Sequence, residues 1–314
     1  MSSLAVHPLI RQDWLDVGDG HRLFLAQYGD PQGVPVLYLH GGPGDGCSGD
    51  ELTLFTDKDV HIYMLDQRGA GRSRPCCMLT NNDLLSLLQD IERVRRWSEV
   101  ERWCLLGGSF GATLGYLYSC IYPARVLSQV YWGMFIPSAA GMRWLYGDRG
   151  AAQLFPEAYQ CFNPQGAPDL AALFEQFEQG FNHAKADVRE EFLQRWLNWE
   201  LTLAQPQRPV EQPIFEPSRV LARLELHYAR HHYFGAYPLL KKVAGELQAP
   251  TVILQGEQDW VCPAQLVDDF LTQYGPAKLA CRLVTLGGHS FTQEDMGEAI
   301  AQAVRQMVRY VKCL

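Results

Sequence analysis

Hydrophobic positions follow two different rhythms along this chain. Residues 14–17 and 21–27 alternate apolar and polar, with Gly18-Asp19-Gly20 between them, which predicts an antiparallel hairpin at a sheet edge. Residues 34–39, 60–65, 103–106 and 126–131 are nearly continuous apolar runs and predict buried strands. Helical patterns fall between them. Over 80–97, Leu84, Leu88, Ile91 and Val94 recur at three- and four-residue steps, and 112–122 is a second helix-compatible stretch. Almost wholly apolar strands alternating with helices predict a mostly parallel sheet covered on both faces.

From residue 137 to 244 the rhythm changes. Strand-like runs give way to amphipathic helical segments such as 170–181 and 188–204, where Phe192, Trp196 and Trp199 share a face. Prolines 206, 209, 213 and 217 break this region in its middle. It reads as a helical cap inserted into a core made of residues 1–136 and 245–314. The sheet resumes at 251–254 and 281–286, and the last helix, 294–311, carries Ile300, Val304, Met307, Val308 and Val311 on one side.

Composition narrows the picture without redirecting it. A chain of 314 residues, 47% hydrophobic and 20% charged, can bury a large core. A net charge of -8 and a pI near 5.6 argue against nucleic acid or an anionic membrane as partner. Residues 1–13 lack the basic and apolar regions of a signal peptide, and no apolar stretch approaches a membrane span. The nine cysteines are scattered, odd in number and without a Cys-x-x-Cys pair. They read as reduced thiols of a cytoplasmic protein, not as zinc ligands. His227 and His231 lie four apart on a predicted helix, but no acidic ligand pattern accompanies them, so no metal is expected.

The chemistry gathers around Gly107-Gly108-Ser109-Phe110-Gly111, set between the apolar run 103–106 and a helix. Gly-x-Ser-x-Gly between strand and helix is the nucleophile elbow of the α/β-hydrolase fold, where the serine sits on a sharp turn. A serine hydroxyl needs a base, and the base an orienting acid, in the chain order Ser, Asp or Glu, His. Asp259 follows the strand 251–254 and His289 follows 281–286, so these two are read as orienter and base; Glu257 is the alternative acid. Two N–H donors must receive the oxyanion. Phe110, just after the nucleophile, supplies one, and Gly42 in His40-Gly41-Gly42-Pro43-Gly44 is read as the other. The same glycine run also serves to make a tight turn.

Three segments together resemble the proline iminopeptidases, serine aminopeptidases that remove an N-terminal proline. They are His40-Gly41-Gly42-Pro43-Gly44, the long stretch from Asp66-Gln67-Arg68-Gly69 to Arg74-Pro75, and Gly107 to Leu114. Trp196-Leu197-Asn198-Trp199-Glu200 and the segment around Glu225 resemble two acidic motifs of the same family. The resemblance implies that Glu200 and Glu225 hold the free amino group of a substrate proline, and that Phe135, Tyr146 and Cys262 line its ring pocket. It also implies mercurial sensitivity at Cys262, a residue that packing alone could explain. Two carboxylates suit a protonated pyrrolidine nitrogen, which has one charge and two N–H donors. The common fate of a glutamate is nevertheless a solvated helix face. The chain departs from the family at Phe110, where Trp is usual, at Trp132 in place of Arg, and at Asp45 in place of Gly. The expectation is a cofactor-independent aminopeptidase acting on small peptides. A carboxylesterase or amidase of the same fold, and a non-catalytic ligand receptor, are the alternatives.

Overall fold

The apolar runs pair into one sheet. The computed structural model describes residues 7–206, 215–276 and 279–314. Among these, eight strands are present: β1 (Leu9–Gly18), β2 (His21–Gly29), β3 (Val34–Leu39), β4 (Val60–Asp66), β5 (Trp103–Gly108), β6 (Val126–Trp132), β7 (Thr251–Gly256) and β8 (Ala280–Val284). They lie in the order β1-β2-β4-β3-β5-β6-β7-β8. The β1–β2 hairpin and the β2–β4 pair are antiparallel, and all other neighbours are parallel. The central strands β3 and β5 are buried along nearly their whole length, as their unbroken apolar sequence requires.

Both faces are covered. On one, α1 (Leu84–Trp97), α2 (Phe110–Ile121), α8 (Ala236–Val243) and α9 (Ala264–Tyr274) bury residues in the larger core. On the other, α10 (Glu294–Lys312) seals the smaller core with Met296, Ile300, Val304 and Val308. Element ends differ from the sequence pattern where side chains intervene. Helix α1 begins at Leu84 instead of residue 80, because the Asp83 carboxylate caps the Ser86 N–H at 2.8 Å. Strand β8 stops at Val284, since Leu286 turns into the left-handed region at φ 59°.

Between β6 and β7 the chain is helical: α3 (Ala139–Tyr146), α4 (Pro156–Phe162), α5 (Leu170–Phe181), α6 (Ala186–Ala204), α7 (Glu216–Arg230) and then α8. Its interior is aromatic. Phe162 stacks on Trp199 with centroids 5.5 Å apart, while Trp196 packs against Tyr146 at 5.2 Å and Phe177 at 5.1 Å. Pro217 falls in the first turn of α7, where its missing N–H costs nothing. Pro209 and Pro213 lie outside the described residues.

The loop after β4 is a polar clamp. The buried Asp66 carboxylate accepts the N–H groups of Cys47 at 2.7 Å and Arg72 at 2.8 Å, and the Asp66 carbonyl accepts Ser73 Oγ at 2.6 Å. Gln67 N–H donates to His40 Nε2 at 3.0 Å, and Gln67 Nε2 donates to the His40 carbonyl at 2.8 Å. The other His40 nitrogen, Nδ1, therefore carries the proton and donates to Gly41 O at 2.9 Å. Arg68 is held by a two-pronged buried pair with Asp90 at 2.6 and 2.9 Å. Arg68→Met should lower stability by about 3 kcal/mol in denaturant unfolding, because Asp90 is left buried with only its bond to Arg93. Arg68→Met with Asp90→Leu should recover most of that loss.

Candidate active site

Ser109 caps α2 at φ 54° and ψ −125°, a conformation that a residue with a Cβ adopts only when its surroundings force it. The forcing is steric and polar together. Its N–H donates to Trp132 O at 3.0 Å, and its carbonyl accepts Ala112 N–H at 3.1 Å. Gly111 passes so close to β3 that a Cβ there would sit 2.2 Å from the Leu39 carbonyl oxygen. The loop after β3 thereby lies beside Ser109, with the Cβ position of Gly41 3.3 Å from Ser109 Cβ. Phe110 is the first residue of α2, so its N–H has no intrahelical acceptor. Gly42 lines the same cavity as Ser109, at φ 97°.

Asp259 and His289 come from the loops after β7 and β8. His289 Nδ1 and Asp259 Oδ2 are 2.9 Å apart. The other carboxylate oxygen accepts the N–H groups of Val261 at 3.1 Å and Cys262 at 2.7 Å, so Asp259 cannot swing away. Gln255 Nε2 adds a bond to Oδ2 at 3.2 Å. Burial acts to lower the His289 pKa, but the charge and hydrogen bond of Asp259 outweigh it, and Glu200 and Asp45 push the same way. The net result is a raised value. Among the described residues, Ser109 and His289 share a cavity wall without a direct hydrogen bond. Glu257, the alternative acid, instead accepts the Leu286 N–H from an exposed position.

The cavity has a volume of about 350 Å³, and Glu200 and Glu225 line it together with Ser109 and His289. Glu225 is buried and accepts Trp196 Nε1–H at 2.9 Å. Burial raises both carboxyl pKa values, Glu200 to about 7 and Glu225 well above the carboxylate range, where the neighbouring Glu200 charge adds to the effect. Near neutral pH the pair therefore keeps proton occupancy that two isolated carboxylates would have lost. Phe135, Tyr146 and Tyr233 form an apolar wall beside the pair, with Phe135 and Tyr233 centroids 4.8 Å apart.

Cys262 is set behind that wall, buried against Asp259. Desolvation pushes its thiol pKa well up, with Asp259 adding and the Ser109 hydroxyl opposing. The donor atoms of Asp259, Cys262 and His289 lie within 4.8 Å of one another. A thiol held protonated is a poor metal ligand, and the other two groups are already bonded to each other. His227 and His231 serve the backbone, with Nε2 on Asn82 O at 3.0 Å and Nδ1 on His227 O at 2.7 Å respectively.

Comparison with known proteins adds a lineage to this geometry. A family model described as the alpha/beta hydrolase fold matches residues 34–295. A proline iminopeptidase of Xylella fastidiosa is 34% identical over 304 residues, 94% of this chain and 95% of its own. One of Neisseria gonorrhoeae is 30% identical over 298 residues, covering 94% and 95%. The chain belongs to the proline iminopeptidase family. Among solved structures, a proline iminopeptidase of Mycobacterium smegmatis shares the fold at TM-score 0.65 and 17% identity, covering 96% of this chain and 99% of that one.

Within this family member, several residues in or behind the cavity were not singled out by the sequence pattern. Gly133 is the clearest. It stands at φ 49°, where a Cβ would come within 2.9 Å of Asp259 Oδ2 and 3.0 Å of His289 Nδ1. Its only sequence signal is a glycine directly after a buried strand. Tyr233, also in the left-handed region at φ 50°, carried no signal at all. Gly133→Ala should leave the fold cooperative in thermal unfolding yet lower ester hydrolysis on the order of 100-fold, through displacement of the Asp259–His289 pair.

Proposed function

We propose that this protein is a serine aminopeptidase that releases N-terminal proline from peptides through an acyl-enzyme on Ser109. The observation that carries the reading is the presence of two buried carboxyls, Glu200 and Glu225, in the cavity that also holds Ser109 and His289. The names and high coverage of the curated relatives support it. The helices between residues 137 and 244 then act as the cap that sets specificity.

The chemistry follows from the groups in place. The prolinium nitrogen offers its two N–H donors to Glu200 and Glu225, and the ring rests against Phe135, Tyr146 and Tyr233. Held there, the acyl carbon meets the Ser109 hydroxyl. His289 takes the hydroxyl proton as the Oγ–C bond forms, while Asp259 stabilises the resulting imidazolium. The Phe110 and Gly42 N–H groups receive the oxyanion. His289 then gives its proton to the departing amine as the C–N bond breaks, and water repeats the sequence to free proline. Cys262 donates its backbone N–H to Asp259 and lies beside the Ser109 hydroxyl at the edge of the ring pocket. All nine cysteines are unpaired, which supports a reducing compartment such as the cytoplasm. Among the described residues, no helix is long and apolar enough to cross a membrane.

A panel of fluorogenic prolyl arylamides with free and acylated nitrogen tests the reading. Free proline should be cleaved and blocked proline spared. Equal turnover of both would point to a general esterase or amidase instead, and no turnover of any acyl substrate would point to a receptor. Ser109→Ala should reduce turnover on the order of 10,000-fold or more. Glu200→Gln should lower kcat/KM for free-amine substrates on the order of 100-fold, far more than for an acetyl ester.

The pH profile has a definite sign. Lowering pH protonates His289, whose pKa is raised, and also Glu200 near 7, so activity falls on the acid side. An acetyl ester depends on His289 alone. Free prolyl substrates should therefore show a steeper acid limb in log kcat/KM against pH than the ester, whose slope should be about one.

A further inference from the structure

The cavity has two unlike sides. Phe135, Tyr146 and Tyr233 belong to the core that runs into the cap, whereas Tyr38 and Trp132 belong to the core on the opposite sheet face, with Phe291 packed against it. Ser109 lies at the seam. The Trp132 indole is pressed against the elbow, since a Cβ on Gly108 would lie 2.2 Å from its ring. It stacks on Tyr38 with centroids 6.4 Å apart and meets Phe291 edge-on at 6.1 Å. The middle and one end of this aromatic shelf border His289: Phe291 follows it by two residues, and Trp132 precedes the Gly133 that backs its ring. Asp45 lines the same cavity with an exposed carboxylate, and its charge acts on His289. Among the described residues, no lysine or arginine lines the cavity.

We infer that Tyr38, Trp132, Phe291 and Asp45 form a leaving-group subsite. It takes an amine that is apolar or aromatic and either uncharged or cationic, and it rejects one that carries a carboxylate next to the scissile bond. The inference rests on the aminopeptidase reading, which places the acyl half against Glu200 and Glu225. His289 must hand its proton to the departing nitrogen, so the departing amine lies on the His289 side of Ser109, against this shelf. In a free dipeptide that amine bears its own carboxylate one carbon away. There it meets a like charge on Asp45 and no described cation. A longer peptide or an amide has no such charge at that point.

The test compares kcat/KM for prolyl-phenylalanine and prolyl-phenylalanine amide at mildly alkaline pH, as a ratio within each enzyme. The ratio is indifferent to how much of a variant folds. The native enzyme should favour the amide by about 10-fold, as expected for like charges across a partly solvated site. Added salt should shrink that preference. Asp45→Asn should reduce it several-fold, and Asp45→Lys should abolish or reverse it. A native ratio near one, or a ratio unmoved by both substitutions, would overturn the subsite. Cleavage of neither peptide by enzyme that still hydrolyses an acetyl ester would overturn the aminopeptidase reading, and the subsite with it.

Discussion

The first turn of α2 runs into the end of β3 with no space for a side chain between them. Gly111 packs directly on the Leu39 and His40 carbonyl oxygens, and that contact fixes the relation of two segments distant in sequence. It forces Ser109 into its left-handed conformation and brings the glycine loop after β3 alongside it. The polar clamp of Asp66 and Gln67 then holds that loop from the other side, through Cys47 and His40. The long motif after β4 is thus a scaffold. It lines no part of the cavity, yet it holds the glycine loop after β3 through Cys47 and His40.

The cap solves a different problem. Carboxyl groups in an apolar cavity are costly unless each has a partner. Glu225 has the Trp196 indole N–H and its neighbour Glu200, and the indole is itself wedged among Tyr146, Phe177 and Phe181. Aromatic packing in α5 and α6 therefore does more than fill space. It aims one N–H at one carboxylate and so fixes the position of Glu225 in the cavity.

Much of this was legible beforehand. The apolar runs announced the parallel sheet, and Ser109, Asp259 and His289 each follow such a run, so loop position alone pointed to them. The structure sets Asp259 and His289 in contact and places His289 on the same cavity as Ser109. Cap residues were harder to read, because a glutamate directly after a Trp-x-x-Trp segment has the same pattern whether it faces solvent or a pocket. Tyr233 and Asp45 were illegible as cavity residues for another reason. Each owes its place to where a distant strand or helix ends, and local periodicity carries no information about that. The start of α1 was misread for a smaller reason: Asp83 and Asn82 redirect the backbone through side-chain bonds that a hydrophobic pattern does not register.

The shared proton on Glu200 and Glu225 has a thermodynamic consequence. Under the function proposed above, that proton already balances part of the pair's negative charge, so an arriving ammonium group does not find a bare pair of anions. It displaces a smaller cation. Binding becomes an exchange of ions, in which the heat measured depends on the ionisation enthalpy of the buffer that collects the released proton. Free proline, leaving with its own ammonium intact, reverses the exchange at the end of each turnover.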